Sequence, residues 1–334
     1  MTSRSTVMLS VVVLLTAAGS ASCATSRSAE GPAAPVRIYV SNHLDNTASV
    51  IDGATHKVVA TVRVGVAPAQ MAVSPDRRSV YIANTGSSTV SVLDTATNAI
   101  ASTIALPRGS RPAGVAVDPS GRYLYTADGG SNRVSVLDTR TKRVVTSVRV
   151  GTQPLSVAVA PDGKRIYAAN SGSGDVSIID ARTKRVVRSI LTGRYPSGVA
   201  VTPDGSSVYV TNELSGLTAI SAGKGTVLAR LSEPSPFSVA ISPDGERAYV
   251  ASLGPGKVTV IDTDTHRVSS TVSVGPTGTD PFSVRATRDA LYVANQGAST
   301  LSVLDPSTFK PTAKIATGNS PYGIAVVQPP PTHG

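Results

Sequence analysis

Seven side chains in this 334-residue sequence are the best candidates for chemistry: Arg108, Arg111, Arg194, Tyr195, Phe237, Phe282 and Tyr322. Arginine presents a planar fork of donors that fits carboxylate or phosphate, and aromatic rings cover the apolar remainder of a ligand. Together they define a site for a small anionic ligand with an apolar portion. Covalent or acid–base catalysis finds far less support. The histidines are His43, His56, His266 and His333, and no two stand at metal-ligand spacing. No nucleophile elbow, phosphate loop, dinucleotide fingerprint or paired-cysteine motif is present. Asp262-Thr263-Asp264 opens like a calcium loop but lacks the rest of one. No catalytic residue, metal or cofactor is therefore assigned.

These residues must be positioned by elements, and the elements are set out by a repeat. Tyr39, Tyr81, Tyr125, Tyr167, Tyr209, Tyr249 and Tyr292 recur every 40 to 44 residues, each inside a short apolar run such as RIYVSN or SVYIAN. Around each tyrosine the same pattern returns. A proline followed by alternating small and apolar residues, as in Pro154–Val159, has the period of a strand. Pro161-Asp162-Gly163 makes a tight turn, because proline presets φ at its start and glycine accepts positive φ at its end. The tyrosine run is the second strand, Asp175–Asp180 the third, and Arg185–Val187 begins the fourth.

One such unit cannot bury both faces of its sheet, so neighbours must stack, and four-stranded units of this length are the mark of propeller blades. The chain enters at a second strand, Val36–Asn42, and leaves at a first strand, Tyr322–Val327. The C-terminal strand is thus expected to complete blade one and close the ring. The fold expected is all-β: a seven-bladed propeller of four-stranded antiparallel blades over 36–328, with a Pro-rich tail at 329–334.

Val208-Tyr209-Val210-Thr211-Asn212 spells a known signature, and the other six copies vary it conservatively. The repeat resembles the YVTN family of β-propellers, seen also in surface-layer proteins and YncE-like exported proteins. WD40 repeats match poorly, since the chain has no Trp. The resemblance implies an extracytoplasmic propeller of undefined ligand. Similarity to the repeats of seven-bladed lactonases and some lyases implies the alternative of an exported hydrolase or lyase. Such an enzyme needs convergent His, Glu and Arg, whereas Glu213 and Glu233 are the only glutamates in loops of the variable face. A structural envelope component is the third reading.

Two recurring polar signals belong to the scaffold. Asp-x-x-Thr appears in six blades, from Asp52/Thr55 to Asp305/Thr308, and fails only at Ser221-Ala222-Gly223-Lys224-Gly225. An aspartate that accepts backbone N–H groups in a turn accounts for it. The asparagine ending the second strand, as at Asn42 and Asn84, is read the same way.

The N-terminus carries its own message. Arg4, an apolar run from Val7 to Leu15 and small residues up to Ser22 have the order of a secretory signal, too short to span a bilayer as a helix. Cys23 is the only cysteine, which argues against a disulfide framework. Gly19–Cys23 resembles a bacterial lipobox, with Ser20 where Leu is usual, so Cys23 is expected to be lipidated. Cleavage after Ala21 or Ala24 without lipid is the alternative. Residues 1–23 are then the signal and 24–35 a flexible tether holding the propeller on the membrane, at the bacterial cell surface or in the periplasm.

The formal charge is +10. Much of it falls in turns between strands one and two and between strands three and four, including Arg77, Lys142, Arg143, Lys184 and Arg185. A basic face suits anionic lipid or wall polymer, or is simply solvated. Export and the lack of aromatics among these turns disfavour nucleic acid. The opposite face holds the loops that differ between blades, and there the seven candidate side chains lie, facing a small anionic ligand or an envelope protein.

Overall fold

The computed structural model describes residues 36–329. The expected signal, Cys23 and nearly all of the expected tether and Pro-rich tail lie outside them. Twenty-eight strands form seven four-stranded sheets, each joined edge to edge by antiparallel pairing. In blade one β1 (Arg37–Asn42), β2 (Thr47–Asp52) and β3 (Lys57–Arg63) follow in order from the centre outward, and β28 (Pro321–Val327) lies inside β1. The other innermost strands are β4 (Pro68–Val73), β8 (Pro112–Val117), β12 (Pro154–Val159), β16 (Pro196–Val201), β20 (Pro236–Ile241) and β24 (Pro281–Ala286).

Ring closure follows from that pairing. Arg37 faces Val327 and Val40 faces Ile324 across the β1–β28 ladder. Beyond the ladder, Asn319 donates its backbone N–H to Asp45 at 2.7 Å and its side-chain amide at 2.9 Å, and the His43 N–H reaches Ser320 O at 3.0 Å. First and last blades are thus one blade, which leaves no open end to the ring.

The core is divided among the blade interfaces. Seven apolar clusters form, each drawn from two neighbouring blades, such as Tyr125, Val134 and Val148 against Val157, Ile166 and Ile179. The repeated tyrosines are their largest members, and Tyr39, Tyr125, Tyr167, Tyr209 and Tyr249 are fully buried. The outermost strands are mostly exposed and carry cations, as in RVVRSIL (Arg185–Leu191), which protects an edge from pairing with another chain.

Four of the turns between strands three and four tie their blade to the preceding one. Asn98, Lys184, His266 and Phe309 occupy the same turn position, each with positive φ. Each meets the tyrosine of the blade before it. Tyr39 Oη donates to Asn98 at 2.8 Å, Lys184 Nζ lies 3.3 Å from Tyr125 Oη, Tyr209 Oη lies 2.7 Å from His266 Nδ1, and Phe309 packs edge-on to Tyr249.

Candidate functional site

On the variable face, the residue after each loop proline stands at the mouth of the central channel. In blades six, seven and one these are Phe237, Phe282 and Tyr322, and their rings touch. Centroids are 3.8 Å apart for Phe237–Phe282, 4.4 Å for Phe282–Tyr322 and 6.2 Å for Phe237–Tyr322. His43 stacks on Tyr322 at 5.6 Å. Burial pushes the Tyr322 phenol pKa up, so the ring acts as a neutral apolar surface.

The arginines lie elsewhere on that face. Arg111 and Tyr195 hold the residue before the proline, where all seven loops take positive φ, from Ala67 through Gln153 to Ser320. The repeat places these two side chains; only their chemistry is particular to their blades. Arg111 lines a groove with Thr85, Asn132 and Leu155, whereas Arg194 and Tyr195 line a second groove with Leu191 and Arg230. The grooves share Ser171 and Gly172 and so adjoin, but neither contains an aromatic of the trio. Arg108 is exposed and lines neither. Six of the seven candidates therefore fall into two adjoining basic grooves and a separate aromatic cluster, and Arg108 stands apart from both.

Several of the carboxylates and histidines are held by structural partners. The Asp-x-x-Thr carboxylates sit in turns: Asp52 accepts the N–H groups of Ala54 at 3.0 Å and Thr55 at 2.8 Å. Those bonds, chiefly the one from Thr55, lower its pKa to about 2. The strand-two asparagines donate to hydroxyls on strand three, as Asn84 does to Thr89 and Ser91, both at 3.0 Å. A glycine three residues before the next loop proline makes room for that amide. A Cβ on Gly65 would lie 2.6 Å from Asn84 Cγ, and one on Gly318 2.6 Å from Asn42 Cγ.

Blade six breaks both halves of this arrangement together. The asparagine becomes Ser252 and the glycine becomes Glu233. Glu233 Oε1 fills the gap, accepting from Ser252 Oγ and Thr259 Oγ1, each at 2.8 Å. In blade three the asparagine becomes Asp128, buried and accepting hydrogen bonds from Thr126 and Ser135. Burial, opposed by those two bonds, pushes its pKa up to about 6.

The channel itself holds the residue that sequence reasoning missed. A cavity of about 440 Å³ runs along the innermost strands, lined by Gln70, Ser156, Ser238, Ser283 and Arg285 among others. Pro203 and Pro243, at the strand one–two turns, also line it, so it extends toward the face opposite the aromatic cluster. Arg285 is the fifth residue of β24, directly across from Tyr292. At the equivalent position, across from each blade's tyrosine, stand Ala72, Ala116, Ala158, Ala200, Ala240 and Ala325. Six alanines and one arginine at a repeated position are visible in the sequence once the innermost strands are aligned.

Comparison with known proteins supports the architecture. A model of the family described as "Lactonase, 7-bladed beta-propeller" matches residues 38–188. That is under half of the chain. No curated protein matches. Among solved structures, Kuenenia stuttgartiensis hydrazine synthase is similar at 21% identity and a TM-score of 0.69, covering 78% of this chain and 95% of that one. A functionally unknown protein from Desulfotomaculum acetoxidans DSM 771 is similar at 17% identity and a TM-score of 0.73, covering 89% of this chain and 100% of that one. At such identities the likeness is one of fold, and one fold hosts many functions.

Proposed function

We propose that this chain is an exported propeller of the YVTN type, lipid-anchored through Cys23, that binds a ligand or envelope protein on its variable face rather than acting as an enzyme. The observation that carries this reading is the contact of Phe237, Phe282 and Tyr322 at the channel mouth. Rings gathered at a concave rim offer apolar surface at little conformational cost. The adjoining grooves with Arg111 and Arg194 extend the surface toward anionic groups. Binding is favoured over catalysis because three of the acids and bases have structural partners: Glu233 the two hydroxyls, His266 the Tyr209 phenol, and Asp52 its own turn.

The test pairs localisation with binding. Cys23→Ala should move the protein from the membrane to the soluble fraction, and mass spectrometry of the wild type should find acyl chains on Cys23. A small-molecule thermal-shift screen should yield ligands whose stabilisation disappears in Phe237→Ala/Phe282→Ala. Ligands that stabilise both proteins equally would move the binding surface away from the aromatic rim.

A second reading, hydrolysis of a lactone, is favoured by the family match over residues 38–188. Proton release from a panel of lactones, measured at constant pH, distinguishes it. Turnover above the spontaneous rate by the purified protein would replace the binding reading.

A further inference from the structure

We propose that the central channel is a second binding site, in which Arg285 holds a small hydroxylated monocarboxylate. This site shares no residue with the aromatic rim and stands or falls independently of it.

The argument begins with an uncompensated charge. Among the described residues, none accepts a hydrogen bond from the Arg285 guanidinium or forms an ion pair with it, whereas Arg37 pairs with Asp52 and Arg247 donates to Pro306 O at 3.1 Å. Arg285 is exposed to the water of the channel, within walls formed by the innermost strands, and it remains charged. Among the described residues, no carboxylate lines the cavity. The closest acids along the chain to its lining, Asp204 and Asp244, are engaged in their own turns, with Asp204 accepting from Ser206 N and Asp244 from Glu246 N, both at 3.0 Å. A cleft of single charge sign with low-dielectric walls concentrates counter-ions, so the partner must come from solution.

The chemistry of the walls narrows the class. A guanidinium fork engages a carboxylate through two parallel bonds. With one cation in the cavity, one negative charge is balanced, and a dianion would carry an unpaired charge out of water. The same cavity is lined by the Ser156, Ser238 and Ser283 hydroxyls, the Gln70 amide and the methyls of Ala158, Ala200 and Ala240, with Gln70 donating to Ser156 at 3.4 Å. These are neutral donors and acceptors suited to hydroxyl groups. A cavity of about 440 Å³ lies within the usual range for small-molecule sites.

Isothermal titration of the purified full-length protein tests this with acetate, lactate and galacturonate, with galactose as the uncharged counterpart of galacturonate and inorganic phosphate as the dianion. Saturable binding is expected for at least one carboxylate, with galactose silent and phosphate at least about tenfold weaker. Arg285→Ala installs the residue of the other six blades, so its melting point should hold or rise while carboxylate binding is lost. Arg285→Lys keeps the charge without the fork and should bind about tenfold more weakly. Phe237→Ala/Phe282→Ala should bind carboxylate like the wild type, which separates this site from the rim. The proposal is overturned if none of the three carboxylates binds, if phosphate binds as tightly, or if Arg285→Ala binds as the wild type does. A lowered melting point in Arg285→Ala would instead give Arg285 a structural role and equally overturn it.

Discussion

Asp128 offers a measurement of what the repeat demands of its polar residues. Where five blades bury a neutral asparagine bonded to strand three, blade three buries a carboxylic acid whose pKa is pushed up to about 6. The unfolded value is about 3.9, so the rise of about 2 units corresponds to about 3 kcal/mol, an upper bound. The sign follows from proton uptake. Between about pH 4 and pH 6 the folded protein holds a proton that the unfolded chain releases, so stability falls as pH rises through this window and stays lower above it. Asp128→Asn removes that loss. The new amide can donate to Ser135 as Asn84 donates to Ser91, and its carbonyl can still accept from Thr126. Denaturant unfolding at pH 7.5 should find the variant more stable by about 1–3 kcal/mol, and the gain should shrink toward zero near pH 4. The turn aspartates, whose lowered pKa values make the protein lose stability as pH falls through the acid range, are common to both proteins and cancel. A variant less stable than wild type at pH 7.5, or a gain equal at both pH values, would refute burial as the dominant influence.

Other substitutions probe the scaffold. Glu233→Ala leaves Ser252 and Thr259 without their acceptor and should cost about 1–3 kcal/mol in urea unfolding. Glu233→Gly combined with Ser252→Asn should recover most of it, because the glycine-and-asparagine arrangement is then restored, whereas Glu233→Ala with Ser252→Asn should not, since a Cβ at the glycine position crowds the amide. His266→Ala should cost about 1–2 kcal/mol through loss of its bond to Tyr209; His266→Asn should be nearly neutral, since Asn98 serves Tyr39 in the same way. Truncation before Pro321 should lower the melting temperature of the whole ring in one transition, because blade one loses its inner strand. An unchanged midpoint would show that the ring does not depend on β28.

The architecture was legible because the chain states it seven times. Strand one at Pro154–Val159 and strand three at Asp175–Asp180 coincide with the observed elements to the residue. Closure followed from the phase at which the chain enters and leaves. The site was less legible, for a physical reason. Sequence order shows which loop a side chain belongs to, but not how far a groove extends around the ring. Arg111 and Arg194 thus fall in adjoining grooves apart from the aromatic trio. Glu233 read as a sparse loop acid because its partner, Ser252, is drawn to it only by the missing asparagine amide. Arg285 is obscured in the sequence because the innermost strands otherwise agree from blade to blade, whereas the loops differ openly.

Departures from the repeat fall into two kinds, and the difference is physical. Some are answered within the chain: Glu233 answers Ser252, Thr126 and Ser135 answer Asp128, and each buried group ends with a hydrogen-bond partner. These preserve the blade, and a ligand would gain nothing from them. Others are not matched by a hydrogen-bond partner among the described residues. Arg285 brings a charge into a cavity that supplies no opposite charge. Phe237, Phe282 and Tyr322 gather rings where the remaining blades have Ala69, Ala113, Leu155 and Ser197. Folding alone does not require either, since six blades form with alanine opposite the tyrosine and four without an aromatic at the rim. Unanswered departures of this kind are where a partner from outside the chain has most to gain, which is why both binding proposals rest on them.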